Sequence, residues 1–282
     1  MDGCYENKWV KQILSLQHED GSWGHFHSLS HPTKEQPMTT EQALRRLRIL
    51  GLTVENETVT RAVKYMERNL LQPFPTVFIE KKHDSKTYGD LMLAAWIRLF
   101  DPDNEAALAV AMKWARVVSS AFRDGTYSND RYVSAYETEF HKLNPKAGCL
   151  ADFVVFYQLS LLPGLLTKKI ENATLDYVLT HERGIYYICN GPLIVTPDNF
   201  KSKEASRYLS AMEILAAYDL APKKLGFVVK WLADNRDEDG LWDMGPDVKD
   251  GIHFPLSDSW RRAEDRKRDC TARITALLNR LA

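Results

Sequence analysis

Four short turns constrain this chain more than its composition does. Asp20-Gly21-Ser22-Trp23, Asp124-Gly125-Thr126-Tyr127, Arg183-Gly184-Ile185-Tyr186 and Asp239-Gly240-Leu241-Trp242 each follow a helical pattern. In every one a glycine precedes an aromatic residue by two positions. The glycines are 104, 59 and 56 residues apart. The first gap is close to twice the others, so a degenerate copy is expected near residue 73, where Leu70-Leu71-Gln72-Pro73 stops a helix. The reading is five units of about 55 residues, each a helix, a glycine turn, a variable loop and a second helix. Glycine supplies the positive φ of a tight turn. The aromatic then folds back on the helix ends and seals the joint between neighbours. A Gln or Asn just before the turn ties down free backbone groups.

Helical spacing fills the intervals. Trp9, Ile13, Leu14, Leu16 and Gln17 make one amphipathic stretch. Ala43, Leu44, Leu47 and Leu50 make a second, stopped by Gly51, and Val59, Ala62, Val63 and Met66 a third. Further helices are expected near 88–100, 104–121, 148–162, 168–180, 204–219, 223–235 and 269–281. FPTVFIE at 74–80 and GIYYICN at 184–190 have strand composition, but each is short enough to be an extended loop. Many helices and almost no sheet imply an all-α chain. With 282 residues and 44% hydrophobic content a large core can form, and one domain over 1–282 is expected. The net charge of −1 argues against nucleic-acid binding. No apolar run approaches the roughly 20 residues of a transmembrane helix, and the N-terminus has no basic or apolar signal-peptide region. Cys4, Cys149, Cys189 and Cys270 lie far apart without a CxxC pair, which suits reduced thiols in a cytoplasmic protein.

Gln17-His18-Glu19-Asp20-Gly21-Ser22-Trp23-Gly24, the following Thr39-Thr40-Glu41-Gln42-Ala43-Leu44, and Trp231-Leu232 with Asp239-Gly240-Leu241-Trp242 resemble the QW repeat of the squalene cyclase and protein prenyltransferase superfamily. The resemblance covers nearly the whole chain. It implies an α-α toroid of about five helical hairpins, with outer helices around an inner ring and a central cavity. The family's two catalytic signatures are missing. There is no DxDD motif for protonating an alkene. Asp269-Cys270 and His253 are zinc-ligand types without the D-x-C spacing. No cofactor is expected, and no metal.

Aligning the second helix of each unit on its terminal Leu places Glu41, Asp90, Asp152 and Asp269 nine residues before Leu50, Leu99, Leu161 and Leu278. The fourth unit has Ser206 before Leu215. These acids would occupy the first turn of each inner helix and surround one mouth of the cavity. Helix-dipole compensation accounts for such acids without any ligand. Acid–base chemistry is the alternative. An Arg at i+4 would pair with Glu41 (Arg45) and with Asp269 (Arg273), leaving Asp90 and Asp152 as the acids expected to carry a proton. Candidate ligand contacts are Trp96, Tyr88, Tyr208 and Trp260, with His25 and His27 after the first Trp. Glu137, Glu139 and His141 alternate in YETEFH, and in an extended segment they would share one side.

Three functions fit these features. One is a prenyltransferase- or cyclase-like enzyme with an apolar, isoprenoid-like ligand, apolar or phosphate-bearing, in the cavity. Another is a carbohydrate-active α/α-toroid hydrolase or lyase, the lyase using a His–Tyr pair. The third is a non-catalytic binding scaffold. A homodimer is one way to supply a wall that a single toroid lacks.

Overall fold

Short polar side chains decide where several helices begin. In the computed structural model, which describes residues 7–27, 34–72, 85–141 and 148–282, Asn7 Oδ1 accepts from Trp9 N at 2.9 Å and starts α1 (Lys8–Leu14). Thr39 and Gln42 form a reciprocal capping box at the head of α2 (Thr40–Ile49). Asn56 caps α3 (Glu57–Leu70). α4 (Ser85–Phe100) and α5 (Glu105–Ala121) follow. Further on come α6 (Asn129–Phe140), α7 (Gly148–Ala151), α8 (Phe156–Leu161), α9 (Lys168–Thr180), α10 (Lys203–Leu215), α11 (Ala221–Lys224), α12 (Gly226–Asp234) and α13 (Ala263–Leu281). Among the described residues the only extended pairings are two isolated bridges, Val155 with Tyr186 and Ile185 with Cys189. The chain is therefore all-α, and 184–190 is a loop. FPTVFIE lies outside the described residues. No helix among the described residues is long and apolar enough to cross a membrane.

The chain divides into two units, Met1–Ala111 with Gly251–Asp258, and Met112–Asp250 with Ser259–Ala282. In the first, α3 and α4 pack along one another. Leu44, Leu47, Val59, Met66, Leu91 and Met92 are fully buried. The return segment 251–258 is held through its backbone. Trp9 Nε1 donates to Ser257 O at 3.0 Å, Asn7 Nδ2 to Leu256 O, and the buried Arg46 to Ile252 O and Pro255 O.

The repeated turn is real and has one internal geometry. Gly21, Gly125, Gly184 and Gly240 all adopt positive φ, between 67° and 97°. Each donates its N–H to the carbonyl three residues earlier, at 3.0, 2.8, 3.0 and 2.9 Å. At Gly21 a second constraint acts, since a Cβ would stand 2.5 Å from Arg61 O. The two tryptophan copies agree further. Trp23 Nε1 donates to Ile13 O at 2.7 Å, and Trp242 Nε1 donates to Leu232 O at 2.8 Å, ten residues back in both. Trp23 N donates to Thr40 Oγ1 (3.0 Å), and Trp242 N to Thr271 Oγ1 (3.1 Å). Both rings are buried, as joint packing requires. Gln17 spans the first turn as expected, with Nε2 donating to Gly21 O and Thr58 O. The middle copies diverge. Tyr127 is half-buried and stacks on Tyr177 at 4.5 Å. Tyr186, expected to seal a joint, is 53% exposed.

Several helix limits differ from the pattern. The helix expected over 168–180 lies there. α4 and α13 begin three and six residues earlier than expected, because Ser85-Lys86-Thr87 and Ala263–Arg268 are too polar to register as an apolar stripe. The helix expected over 148–162 is broken at Asp152, whose Oδ1 accepts from Val154 N at 3.0 Å in a local turn. α6 was not expected at all.

At the second Trp turn α13 adds ionic clamps. Arg266 grips Asp243 with two hydrogen bonds, at 2.6 and 2.7 Å, and Lys267 pairs with Asp237. The Arg266 guanidinium holds the Asp243 carboxyl below the usual carboxylate range. A carboxyl depressed in the folded state contributes stability above its unfolded pKa, about 4, and that contribution is lost as pH falls through the lower folded value. Asp243→Asn should therefore flatten the acid side of the stability curve. Urea midpoints measured from neutrality downward test this, and an unchanged acid limb would contradict it.

Candidate functional site

In the first unit the segment after Trp23 is tied to the start of α2. Thr40 N donates to His25 O at 2.9 Å and Glu41 N to Phe26 O at 3.0 Å, so two of the helix's free N–H groups bind the segment's carbonyls. Phe26 is buried. Its neighbours alternate away from it, His25 exposed and His27 half-buried. His27 Nε2 shares a hydrogen bond of 3.1 Å with the Tyr88 hydroxyl on α4, with the rings 6.2 Å apart. Lys86 and Asp90, one turn apart on the same helix, form an ion pair. Two turns beyond Tyr88, the buried Trp96 donates Nε1 to Glu41 Oε1 at 3.0 Å. Glu41 is fully buried, with the Arg45 guanidinium 3.9 Å away. Helical spacing lets Tyr88 and Trp96 share one side of α4. One local frame thus unites His27, Tyr88, Glu41 and Trp96, with Lys86 and Asp90 on the same helix.

The comparisons add no relative. No protein-family model, curated protein or solved structure matches this chain. The site therefore rests on its own geometry.

The remaining expected residues lie in the second unit, on separate features. Of the four acids, Glu41 alone occupies a first helical turn. Asp90 is the sixth residue of α4 and Asp269 the seventh of α13, both shifted inward by the earlier helix starts. Asp152 lies between α7 and α8. Asp90 and Asp152, the two acids without an Arg at i+4, nonetheless have basic neighbours. Asp90 pairs with Lys86, and Asp152 Oδ2 lies 2.9 Å from His181 Nε2 and 3.2 Å from Arg183. Asp269 accepts from Trp260 Nε1 at 2.6 Å. Arg273 donates to Glu213 (2.7 Å), Ser206 Oγ (2.8 Å) and Ser210 Oγ (2.9 Å). Ser206 is thus the hydroxyl that stands where the other units have an acid.

YETEFH is helical, not extended. Glu137 and Glu139 sit on α6, where residues two apart face different ways, and His141 caps it in the left-handed conformation. Glu139 makes a bidentate pair with Arg116, at 2.7 Å for both bonds, and that hydrogen bonding lowers its carboxyl pKa. Tyr208 is core: its hydroxyl donates to Leu193 O at 3.0 Å and its ring packs edge-on to Trp231. Among the described residues no group of three or more His, Cys, Asp and Glu is placed to hold a metal ion.

Sequence reasoning missed His181, Glu213 and Glu171. The first two act through partners 29 and 60 residues away. Glu171 is buried in α9 and accepts from Leu220 N at 2.7 Å; loss of solvent pushes its carboxyl up. It anchors the backbone ahead of α11.

Proposed function

We propose that this is a QW-type helical-repeat protein, with its helix pairs closed into an α-α toroid, that binds an apolar, isoprenoid-like molecule with a phosphate-bearing head. The observation that carries the reading is the Trp joint. Two turns of matching sequence share a positive-φ glycine, an indole bond to the carbonyl ten residues back and an amide bond to a threonine hydroxyl. That repetition supports the terpenoid cyclase and prenyltransferase likeness, although a fold of this kind does not fix an activity. The ligand assignment draws on α4. Its first turns carry Lys86, which an anionic head would have to share with Asp90, and Tyr88, which is bonded to His27. Trp96, two turns on, is buried with its indole bonded to Glu41, and the tail would have to part the packing around this ring.

Titration calorimetry with farnesyl diphosphate, farnesol and inorganic pyrophosphate tests this. Farnesyl diphosphate should bind best, and Tyr88→Phe and His27→Ala should each weaken it by about tenfold, the loss of one charge-assisted hydrogen bond. No binding, or unchanged binding in both variants, would remove the proposal. A second reading, a carbohydrate lyase, draws on the same His27–Tyr88 contact, because such a pair can take up and return a proton. Release of unsaturated sugars from acidic polysaccharides would favour it.

A further inference from the structure

We infer that Asn190-Gly191 is a self-modification site, where the folded chain converts its own asparagine to aspartate and isoaspartate through a succinimide. The site lies in the second unit and rests on neither reading above. The sequence holds one Asn-Gly pair and five Asp-Gly pairs. Each sets a backbone nitrogen, uncrowded by a side chain of its own, beside a side-chain carbonyl, the arrangement that lets this ring close.

The step balances within the chain and water. The Gly191 nitrogen gives its proton to a solvent base and attacks Asn190 Cγ. The N–Cγ bond forms, the Cγ–Nδ2 bond breaks, and Nδ2 leaves as ammonia with a proton from water. Water then opens the ring. Cleaving N–Cγ leaves aspartate. Cleaving the original peptide bond leaves isoaspartate, with the main chain running through Cβ.

Hydrogen bonding singles out Asn190 among these pairs. A nitrogen whose N–H is held in a hydrogen bond has to give up that bond before it attacks. Gly21 N donates to His18 O at 3.0 Å, Gly125 N to Phe122 O at 2.8 Å, Gly240 N to Asp237 O at 2.9 Å and Gly251 N to Phe254 O at 3.0 Å. Asp2-Gly3 lies outside the described residues. Among the described residues, by contrast, Gly191 N donates to no group and the Asn190 side chain has no partner. Asn190 is exposed. A Cβ placed on Gly191 would meet nothing within 4 Å, so the chain has open space on that side. The product forms in a closed turn. A Cβ on Gly184 would stand 2.2 Å from Cys189 O and 2.6 Å from Gly191 O, so the residues on both sides of Asn190 are packed against Gly184. A methylene added to the main chain between them breaks that fit.

Incubating the full chain at mildly alkaline pH, then mapping its peptides by mass spectrometry, tests the assignment. In the folded chain the peptide bearing residue 190 should gain the mass of amide-to-acid conversion and accept a methyl group from an isoaspartyl methyltransferase. It should change about tenfold faster than any peptide bearing a described Asp-Gly pair. In urea, which removes the N–H bonds, those pairs should speed up by about tenfold while Asn190 gains little. Asn190→Gln should abolish the change and leave the melting temperature in place. An Asn190 that stays intact until urea is added, a change that survives Asn190→Gln, or Asp-Gly pairs that isomerise equally fast folded and unfolded would overturn it.

Discussion

Trp242→Ala is expected to cost about 3–5 kcal/mol of stability, and Trp23→Ala the same. Each indole is sealed from solvent, and each donates to a helix carbonyl that no water can reach once the joint is closed. Truncation opens a cavity and takes one donor from the Ile13 or Leu232 carbonyl, which keeps its bond from Leu16 N or Asn235 N. The two contributions separate with phenylalanine: Trp→Phe keeps most of the packing and removes the hydrogen bond, for a net loss nearer 1 kcal/mol. Tyr186→Ala is the control, since a surface substitution there should fall within about 0.5 kcal/mol. Urea unfolding of the five variants measures all of this. Similar penalties at Trp23 and Trp242 follow if the two turns are equivalent joints. A small penalty at either would mean that its match is a resemblance of sequence without a common structural task.

The second large effect is expected at Arg273. Its guanidinium is almost fully buried and donates to Glu213, Ser206 and Ser210. Arg273→Met should cost about 3 kcal/mol, because it leaves the Glu213 carboxylate without its cation and two hydroxyls without their donor. Adding Glu213→Leu should recover much of that loss, since an apolar pair of similar volume removes the stranded charge. Arg273→Lys should fall between, keeping the charge and losing the fork. Chemical denaturation of the three variants checks the order, and a double variant weaker than Arg273→Met would contradict it.

The glycine turns were readable because positive φ leaves a direct mark on residue choice, and all four glycines have it. Trp23 and Trp242 were readable because a large ring after such a turn has few places to go but inward. Tyr186 shows where that rule stops, since the same spacing there carries an exposed ring. α6 was hidden by its composition. Its inward residues are Tyr132 and Tyr136, and the polar residues around them in NDRYVSAYETEF alternate like a strand. The acids went astray for a related reason. An alignment on apolar positions cannot see polar first turns, so Asp90 and Asp269 were placed too near their helix starts. Within the site, His27, Tyr88, Glu41 and Trp96 could each be singled out alone. Their pairing depends on how α2, α4 and the segment after Trp23 meet, and spacing along one helix carries no such information.

Under the proposed function, the frame of His27, Tyr88, Glu41 and Trp96 receives the ligand. The indole N–H of Trp96, bonded to Glu41, is its most direct reporter. In a nitrogen–proton correlation spectrum, saturating farnesyl diphosphate should shift the Trp96 indole resonance and leave those of Trp23 and Trp242 in place. A Trp96 signal that stays fixed while the probe binds, or tryptophans that all shift alike, would contradict the account.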